Sequence, residues 1–227
     1  MKKIICFDFD DVIINTNIVK KIGRYFKNRF EEKKIEGEFL LDSDNPRKFY
    51  RFAKNFIRLG RGMDFKFVKR IAMRFRLMKG AGETLKSLKK RGYKIVIVSA
   101  NDERIIMEFM KKHGIHGFID HIYASKFGVR DGKLDGNIYG TVIRTEKVGV
   151  VKEIEKKYRV SRKDIIYVGD GLTDLPIMKK VGSGILFCPK EPALIEVLRN
   201  KALKRMKSEG RLFVVGKKDL REVLRFV

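Results

Sequence analysis

The run Lys2-Lys3-Ile4-Ile5-Cys6-Phe7-Asp8-Phe9-Asp10-Asp11 decides the fold. An unbroken apolar stretch ends abruptly in carboxylates, the pattern of a strand buried on both faces that delivers polar groups at its C-terminal end. Two later stretches repeat the design: Tyr93-Lys94-Ile95-Val96-Ile97-Val98 runs into Ser99, and Ile165-Ile166-Tyr167-Val168 runs into Gly169-Asp170. Both are rich in β-branched residues and both follow helical-looking segments. Gly184-Ile185-Leu186-Phe187-Cys188 and Leu212-Phe213-Val214-Val215 read as further strands. Helices are expected at about residues 84–91, 102–112, 146–158, 173–180 and 191–207, several closed by a glycine just past the end. Strands alternating with helices imply an α/β fold, a Rossmann-like parallel sheet flanked by helices.

Residues 15–79 have a different texture. Ile18, Ile22, Tyr25, Phe26 and Phe30, then Phe49, Phe52, Phe56 and Leu59, then Phe65, Phe67, Val68 and Ile71 recur at helical spacing among dense Lys and Arg. A connection of that length between the first two strands of a sheet far exceeds an ordinary crossover. An all-helical cap domain, 15–79, is therefore expected, inserted into a core domain made of 1–14 and 80–227. Arg24, Arg47, Arg51, Arg58 and Arg61 of the cap are candidate substrate contacts. Between residues 122 and 142, Gly128, Asp131-Gly132, Asp135-Gly136 and Gly140 punctuate short β-like pieces, as in a hairpin or flap.

A chain of 227 residues suffices for one main domain with an insertion. With 44% hydrophobic and 36% charged residues it should bury a core beneath a heavily charged surface, which excludes a disordered chain. No apolar stretch approaches the roughly 20 residues of a membrane-spanning helix, and the first residues carry no cleavage-site pattern, so cytoplasmic residence is expected. Cys6 and Cys188 each sit in an apolar run, where a free thiol acts as a small hydrophobe; neither a disulfide nor a thiolate metal site is expected. Lys and Arg total 53 against 28 Asp and Glu, a net charge of +25 that favours anionic partners. A small phosphorylated metabolite is the expected partner, with weak nucleic-acid binding through the basic surface as a further reading; a solubilising surface accounts for the charge equally well.

In an open parallel sheet, ligands bind beyond the carboxyl ends of the strands. Three expected strands end in Asp8/Asp10, Ser99 and Asp170/Asp174, so these groups should converge. Taken singly, each also suits a turn or a helix N-cap. Asp8 and Asp10 flank Phe9, so both carboxylates can face one pocket while the ring faces the opposite layer. Carboxylates this close repel unless a cation or proton intervenes. A hard divalent ion held by few carboxylates and completed by water and phosphate suits Mg²⁺, with Asp8, Asp10 and Asp170 as the expected ligands. His113, His116 and His121 cluster in sequence, but the pattern around them is a helix end leading to a strand, which points to a structural role.

The ordered motifs Asp8-Phe9-Asp10-Asp11-Val12, Ser99 after Ile95-Val96-Ile97-Val98, Lys147, and Gly169-Asp170-Gly171-Leu172-Thr173-Asp174 resemble those of the haloacid dehalogenase superfamily across nearly the whole chain. The helical insertion and the stretch from Asp131 to Gly140 leading to Lys147 resemble its phosphoserine-phosphatase-like branch. The resemblance implies in-line attack by Asp8 on phosphorus to give an aspartyl-phosphate, with Asp10 as general acid and then base. It implies that Ser99 and Lys147 bind the phosphoryl group, with Ala100, Asn101 and Thr173 beside it. Asp170 is implied as a metal ligand, and Asp174 as the group that orients Lys147 or a metal-bound water. Enzymes of the branch that hydrolyse phosphoserine carry an acidic residue in the early cap helix where this chain has Asn17, so a different leaving group is expected. A phosphomutase of the same superfamily and a basic protein acting on nucleic-acid phosphate ends are the alternatives.

Overall fold

Residues 3–25 and 46–227 are described by the computed structural model. Strand β1 (Ile4–Phe7) is the middle strand of a seven-stranded sheet ordered β4-β3-β2-β1-β5-β6-β7. The others are β2 (Lys94–Asp102), β3 (His121–Arg130), β4 (Lys133–Gly140), β5 (Ile165–Gly169), β6 (Ser183–Phe187) and β7 (Leu212–Val215). Neighbours run parallel except β3 and β4, which form an antiparallel hairpin.

All of β1 is buried, because alternate residues enter different layers on the two faces of the sheet. Ile5 and Phe7 pack with Leu85, Ile97 and Phe109 in one layer, and Ile4 and Cys6 pack with Val98, Ile154 and Tyr167 in the other. Among the described residues, three helices fall in the expected cap: α1 (Ile18–Gly23), α2 (Pro46–Leu59) and α3 (Phe65–Ala72). Helices α4 (Ala81–Lys90) and α5 (Glu103–Lys112) send their apolar stripes into the first layer. Helices α6 (Thr141–Tyr158), α7 (Leu175–Met178), α8 (Glu191–Arg199) and α9 (Lys201–Ser208) fill the second.

Register brings the site together. Phe7 pairs with Ile97 on one side and Val168 on the other, so the residues that follow on β1, β2 and β5 emerge side by side at one edge. The chain runs from β1 to β2 and β3 on one side and returns after β4 to β5 on the other, which opens at β1 the crevice where open α/β sheets take ligands.

Several boundaries depart from the sequence reading for local reasons. The helix expected over 191–207 is broken at Asn200, which ends α8 in an extended conformation and caps α9, its Oδ1 accepting from the amides of Ala202 and Leu203. The helix expected over 173–180 shrinks to the short α7, whose first turn holds Pro176. The hairpin expected as a flap is continuous with the sheet: β3 pairs with β2 from Val96↔His121 to Asp102↔Ser125 before continuing into the ribbon with β4. Its tip turns through Asp131 and Gly132, both at positive φ (49° and 75°), the paired left-handed geometry of a tight hairpin turn. There it meets the segment before α3, through Gly62 N–H to the Leu134 carbonyl, Leu134 N–H to the Met63 carbonyl and Phe65 N–H to the Gly132 carbonyl, each 2.8 Å. The hairpin and the segment leading into α3 thus form one wall.

Phe26 and Phe30 lie outside the described residues, as do the side chains of Arg47 and Phe49. Cys6 is buried within β1; Cys188 lies just past β6, and both thiols are free. His113 packs against the Phe109 ring and His121 against Tyr123. No helix among the described residues is long and apolar enough to cross a membrane.

Candidate active site

Asp8 is the first residue past β1, held by its own N–H to the Val168 carbonyl at 2.9 Å. Its Oδ1 accepts from the Phe9 amide at 2.7 Å and its Oδ2 from Lys147 Nζ at 2.7 Å. The chain then curls: the amides of Ile13 and Ile14 both reach the Phe9 carbonyl, and Asp11 sits at φ 55°. This turn carries Asp10 back toward β2, where its two carboxylate oxygens accept from Asn101 Nδ2 at 3.0 and 3.1 Å.

Ser99 and Asn101 belong to the end of β2, where pairing with β3 is irregular between Ser99 and Asp102. The Ser99 oxygen accepts from the Asn101 amide at 3.1 Å, which leaves its own O–H to donate to a ligand. Lys147 projects from α6 and is only 4% exposed. It donates to Asp8 and to Asp174 Oδ1, each at 2.7 Å. Asp174 is fully buried and fully bonded: Oδ1 also accepts from Tyr167 Oη at 2.8 Å, and Oδ2 from the amides of Asp170 and Gly171 at 3.0 Å each. Gly169 makes room for this, since a Cβ there would stand 2.3 Å from Asp174 Cγ.

Electrostatics follow from burying several carboxylates together. Burial raises Asp8 to about 6, with Lys147 pulling it down and Asp174 pushing it up. Burial, then the neighbouring Asp8 charge, holds Asp10 well above the usual carboxylate range. Burial and the fields of Asp174, Asp8 and Asp11 raise Asp170 to about 8. Burial disfavours the charged form of Lys147, yet the Asp174 and Asp8 carboxylates on either side outweigh it and keep the ammonium charged.

Asp8, Asp170 and Asp174 can each bring one carboxylate oxygen within 4.8 Å of the others. Asp10 is outside that group among the described residues. Asp174 has its lone pairs engaged by four donors, so Asp8 and Asp170 are the members free to meet a cation. The Asp170 carboxylate accepts no hydrogen bond from the described residues. Partly buried, unsatisfied and repelled by its neighbours, it fits an oxygen ligand to a hard divalent metal.

A cavity of about 220 Å³ opens over these groups. Ala100, Thr173, Gly171 and Leu172 line it together with Asp8, Asp10, Ser99, Asn101, Lys147 and Asp170. Its far wall is apolar, from Phe52, Ala53, Phe56 and Ile57 of α2 and from Phe127 and Ile138 of the hairpin. Arg24, Arg51, Arg58 and Arg61, expected to reach substrate, are exposed and do not line the cavity; among the described residues Lys20, Lys147 and Lys190 are the cations that do. The periodic apolar positions of α2 announce only a buried face, and nothing in their spacing separates a cavity wall from core. In the sequence Tyr167 is simply a strand residue, and its bond to Asp174 has no local signature.

Residues 5–179 match the family model described as haloacid dehalogenase-like hydrolase. The chain belongs to that family, whose phosphatases are metal-dependent. Two relatives that resemble it along much of its length share one name. The phosphoserine phosphatase of Methanocaldococcus jannaschii is 30% identical over 227 residues, spanning 100% of this chain and 98% of that protein. The phosphoserine phosphatase of Archaeoglobus fulgidus is 28% identical over 196 residues, spanning 84% of this chain and 54% of that protein. A solved phospho-aspartyl intermediate analogue of phosphoserine phosphatase superposes with a TM-score of 0.77 at 29% identity, covering 100% of this chain and 99% of that one. A substrate-bound phosphoserine phosphatase complex superposes with a TM-score of 0.78 at 28% identity, with the same coverage.

Proposed function

We propose that the protein, a phosphatase of the haloacid dehalogenase type, hydrolyses small organic phosphate monoesters through an aspartyl-phosphate on Asp8, with Mg²⁺ as its metal. The observation that carries the assignment of roles is Lys147, which lies 2.7 Å from both Asp8 and Asp174, beside the turn that returns Asp10. Lys147 favours the ionised, oriented form of Asp8, while burial and the Asp8 charge push Asp10 toward its acid form, the division of labour that nucleophile and general acid require.

In the first step an Asp8 oxygen forms a bond to phosphorus as the ester P–O bond breaks, and Asp10 gives its proton to the departing alkoxide. In the second, Asp10 takes a proton from water as that water attacks phosphorus, the P–O bond to Asp8 breaks, and inorganic phosphate is released. Ser99 donates its hydroxyl to a phosphoryl oxygen, and Lys147 sets a fixed positive charge beside the transferring group. Asn101 holds Asp10 in place, Asp174 holds Lys147, and Ala100 and Thr173 shape the phosphate side of the cavity. Asp8 and Asp170 would hold the metal, with Asp10 beside it; when bound, Mg²⁺ supplies positive charge to the nonbridging phosphoryl oxygens.

Residues 15–79 act in this reading as a cap over a core of 1–14 and 80–227, which α2 supports by furnishing the cavity wall opposite the carboxylates. The free thiols of Cys6 and Cys188 suit a reducing, cytoplasmic compartment. The relatives lend support to neither the phosphomutase nor the nucleic-acid alternative, being named phosphatases of a small phosphorylated substrate. The test is phosphate release from 4-nitrophenyl phosphate in Mg²⁺. Turnover is expected in the wild type and none in Asp8→Asn with the fold retained; turnover near wild type in that variant removes Asp8 from the mechanism.

A further inference from the structure

The leaving-group side of the cavity differs in kind from its phosphate side. Phe52, Ala53, Phe56, Ile57, Phe127 and Ile138 form it, with the Phe52 and Phe56 rings 5.9 Å apart. Among the described residues, the polar side chains that join them in lining the cavity away from the phosphoryl centre are Asn17, Lys20 and Lys190, the last 3.7 Å from Asp11. Asn17 has its Oδ1 engaged as the N-cap of α1, accepting from the Lys20 amide at 2.9 Å, so what it can still offer a ligand is amide N–H. Every carboxylate among the described lining residues, Asp8, Asp10 and Asp170, belongs to the phosphoryl centre.

A substrate ammonium entering this space would leave water for phenyl and aliphatic surface, with no carboxylate of the described wall outside the phosphoryl centre to replace its hydration. A ring-bearing alcohol would instead bury apolar surface against apolar surface, and any oxygen it carries would find N–H donors. Phe127 is a fixed part of this wall. Its amide donates to Asp102 Oδ2 at 2.7 Å and its carbonyl accepts from Arg104 at 2.6 Å, while the Arg104 guanidinium lies 4.2 Å from the Phe65 ring centroid of α3. The hairpin side of the wall is therefore held in place before a ligand arrives.

We propose that the substrate's leaving group is an apolar, ring-bearing alcohol without an ammonium group, so that this chain discriminates against amino-bearing phosphate esters. The proposal rests on the reading of the cavity as the phosphatase site, and its test separates the two. Binding of phenylphosphonate and of 2-aminoethylphosphonate, neither of which can be hydrolysed, is measured by calorimetry on the full chain in Mg²⁺. Phenylphosphonate is expected to bind at least about tenfold more tightly. In Asn17→Asp, which retains the capping oxygen and adds a charge, the gap is expected to narrow through tighter binding of the amine. Equal or tighter binding of 2-aminoethylphosphonate by the wild type overturns the proposal, as does failure of both ligands to bind. Turnover of phenyl phosphate and of O-phosphoserine is assayed in parallel. Preferential phenylphosphonate binding with no hydrolysis of any ester sinks the phosphatase reading alone, and hydrolysis that favours O-phosphoserine sinks the specificity alone.

Discussion

Asp174 lies 2.7 Å from Lys147 and reaches it from a carboxylate that is wholly buried yet wholly hydrogen-bonded. Its remaining bonds tie the end of β5 and Tyr167 to the same point, so the ammonium that faces Asp8 is aimed by the loop that also carries Asp170. Lys147→Met removes the charge while keeping the stem, and kcat for an aryl phosphate should fall about 10²–10³-fold. Asp174→Asn leaves a lone pair for Lys147 but turns an NH₂ toward amides that already donate; a similar loss of kcat is expected, with about 1–3 kcal/mol of stability lost in denaturant unfolding. Activity near wild type in both variants would remove the relay from the site.

Gly169 offers a sharper probe of the same network. A Cβ there would lie 2.3 Å from Asp174 Cγ, a side chain that cannot swing aside without breaking four bonds, whereas a Cβ on Gly171 would stop 4.0 Å from Asp174 Oδ2. Gly169→Ala should therefore cost about 1–3 kcal/mol and most of the activity, while Gly171→Ala should leave the melting temperature nearly unchanged. Thermal unfolding of the two alanine variants side by side decides it.

These contrasts mark where sequence reading stops. The apolar runs ending at Asp8, Ser99 and Asp170 were legible because strands buried on both faces advertise themselves through unbroken hydrophobicity, and parallel pairing then dictates where their ends meet. Lys147 needed the motif resemblance, since one lysine among many carries no local mark of burial. The merging of the hairpin with the sheet was not legible, because β2 pairing with His121 to Ser125 is a long-range choice. Nor was the break at Asn200, where a side chain satisfying two amides outcompetes a continuous helix. The arginines favoured as substrate contacts were picked by charge, whereas α2 turns Phe52 and Phe56 toward the cavity and leaves Arg51 and Arg58 exposed.

If Asp10 delivers the leaving-group proton, its removal should matter most where the alkoxide is a poor leaving group. Asp10→Asn is expected to lower kcat by about 10²–10⁴-fold on an alkyl phosphate. The loss should be distinctly smaller on 4-nitrophenyl phosphate, whose phenolate needs little protonation to depart. Single-turnover formation of the phosphoenzyme with the two esters measures this directly, and equal losses on both would deny Asp10 the acid role. Asn101→Ala should follow the same leaving-group trend more weakly, because Asn101 acts on the reaction through the orientation of Asp10.

Away from the site, Asp120 links α4 to β2. Burial opposes its charge, but hydrogen bonds from Lys89, the Ile95 amide and Lys94 prevail and hold it below the usual carboxylate range. The sign follows: a carboxyl depressed in the folded state contributes stability that is fully present above its unfolded value of about 3.9 and is lost as pH falls through the lower folded value. Asp120→Asn should therefore be destabilised by about 1–2 kcal/mol near neutrality. The two unfolding curves should converge once the pH has fallen below that lower folded value, where the wild type is protonated as well. A gap that stays constant down to that pH would mean the ionised form contributes nothing.

The Asp170 carboxylate has no hydrogen-bond donor among the described residues, and burial together with the fields of Asp174 and Asp8 pushes it toward its acid form. Such a group is destabilising when ionised alone and favourable when a cation sits beside it, because the metal reverses the local field. Added Mg²⁺ should thus raise the melting temperature, with the gain growing logarithmically once the ion exceeds its dissociation constant. Chelation should reverse the rise. In Asp170→Asn the response to Mg²⁺ should largely vanish while the metal-free protein melts no lower than wild type, since a repelled charge has been replaced by a neutral amide. Differential scanning calorimetry of both proteins across a Mg²⁺ series reads these effects without any assay of turnover. An undiminished Mg²⁺ response in the variant would mean that the ion stabilises the protein from somewhere else.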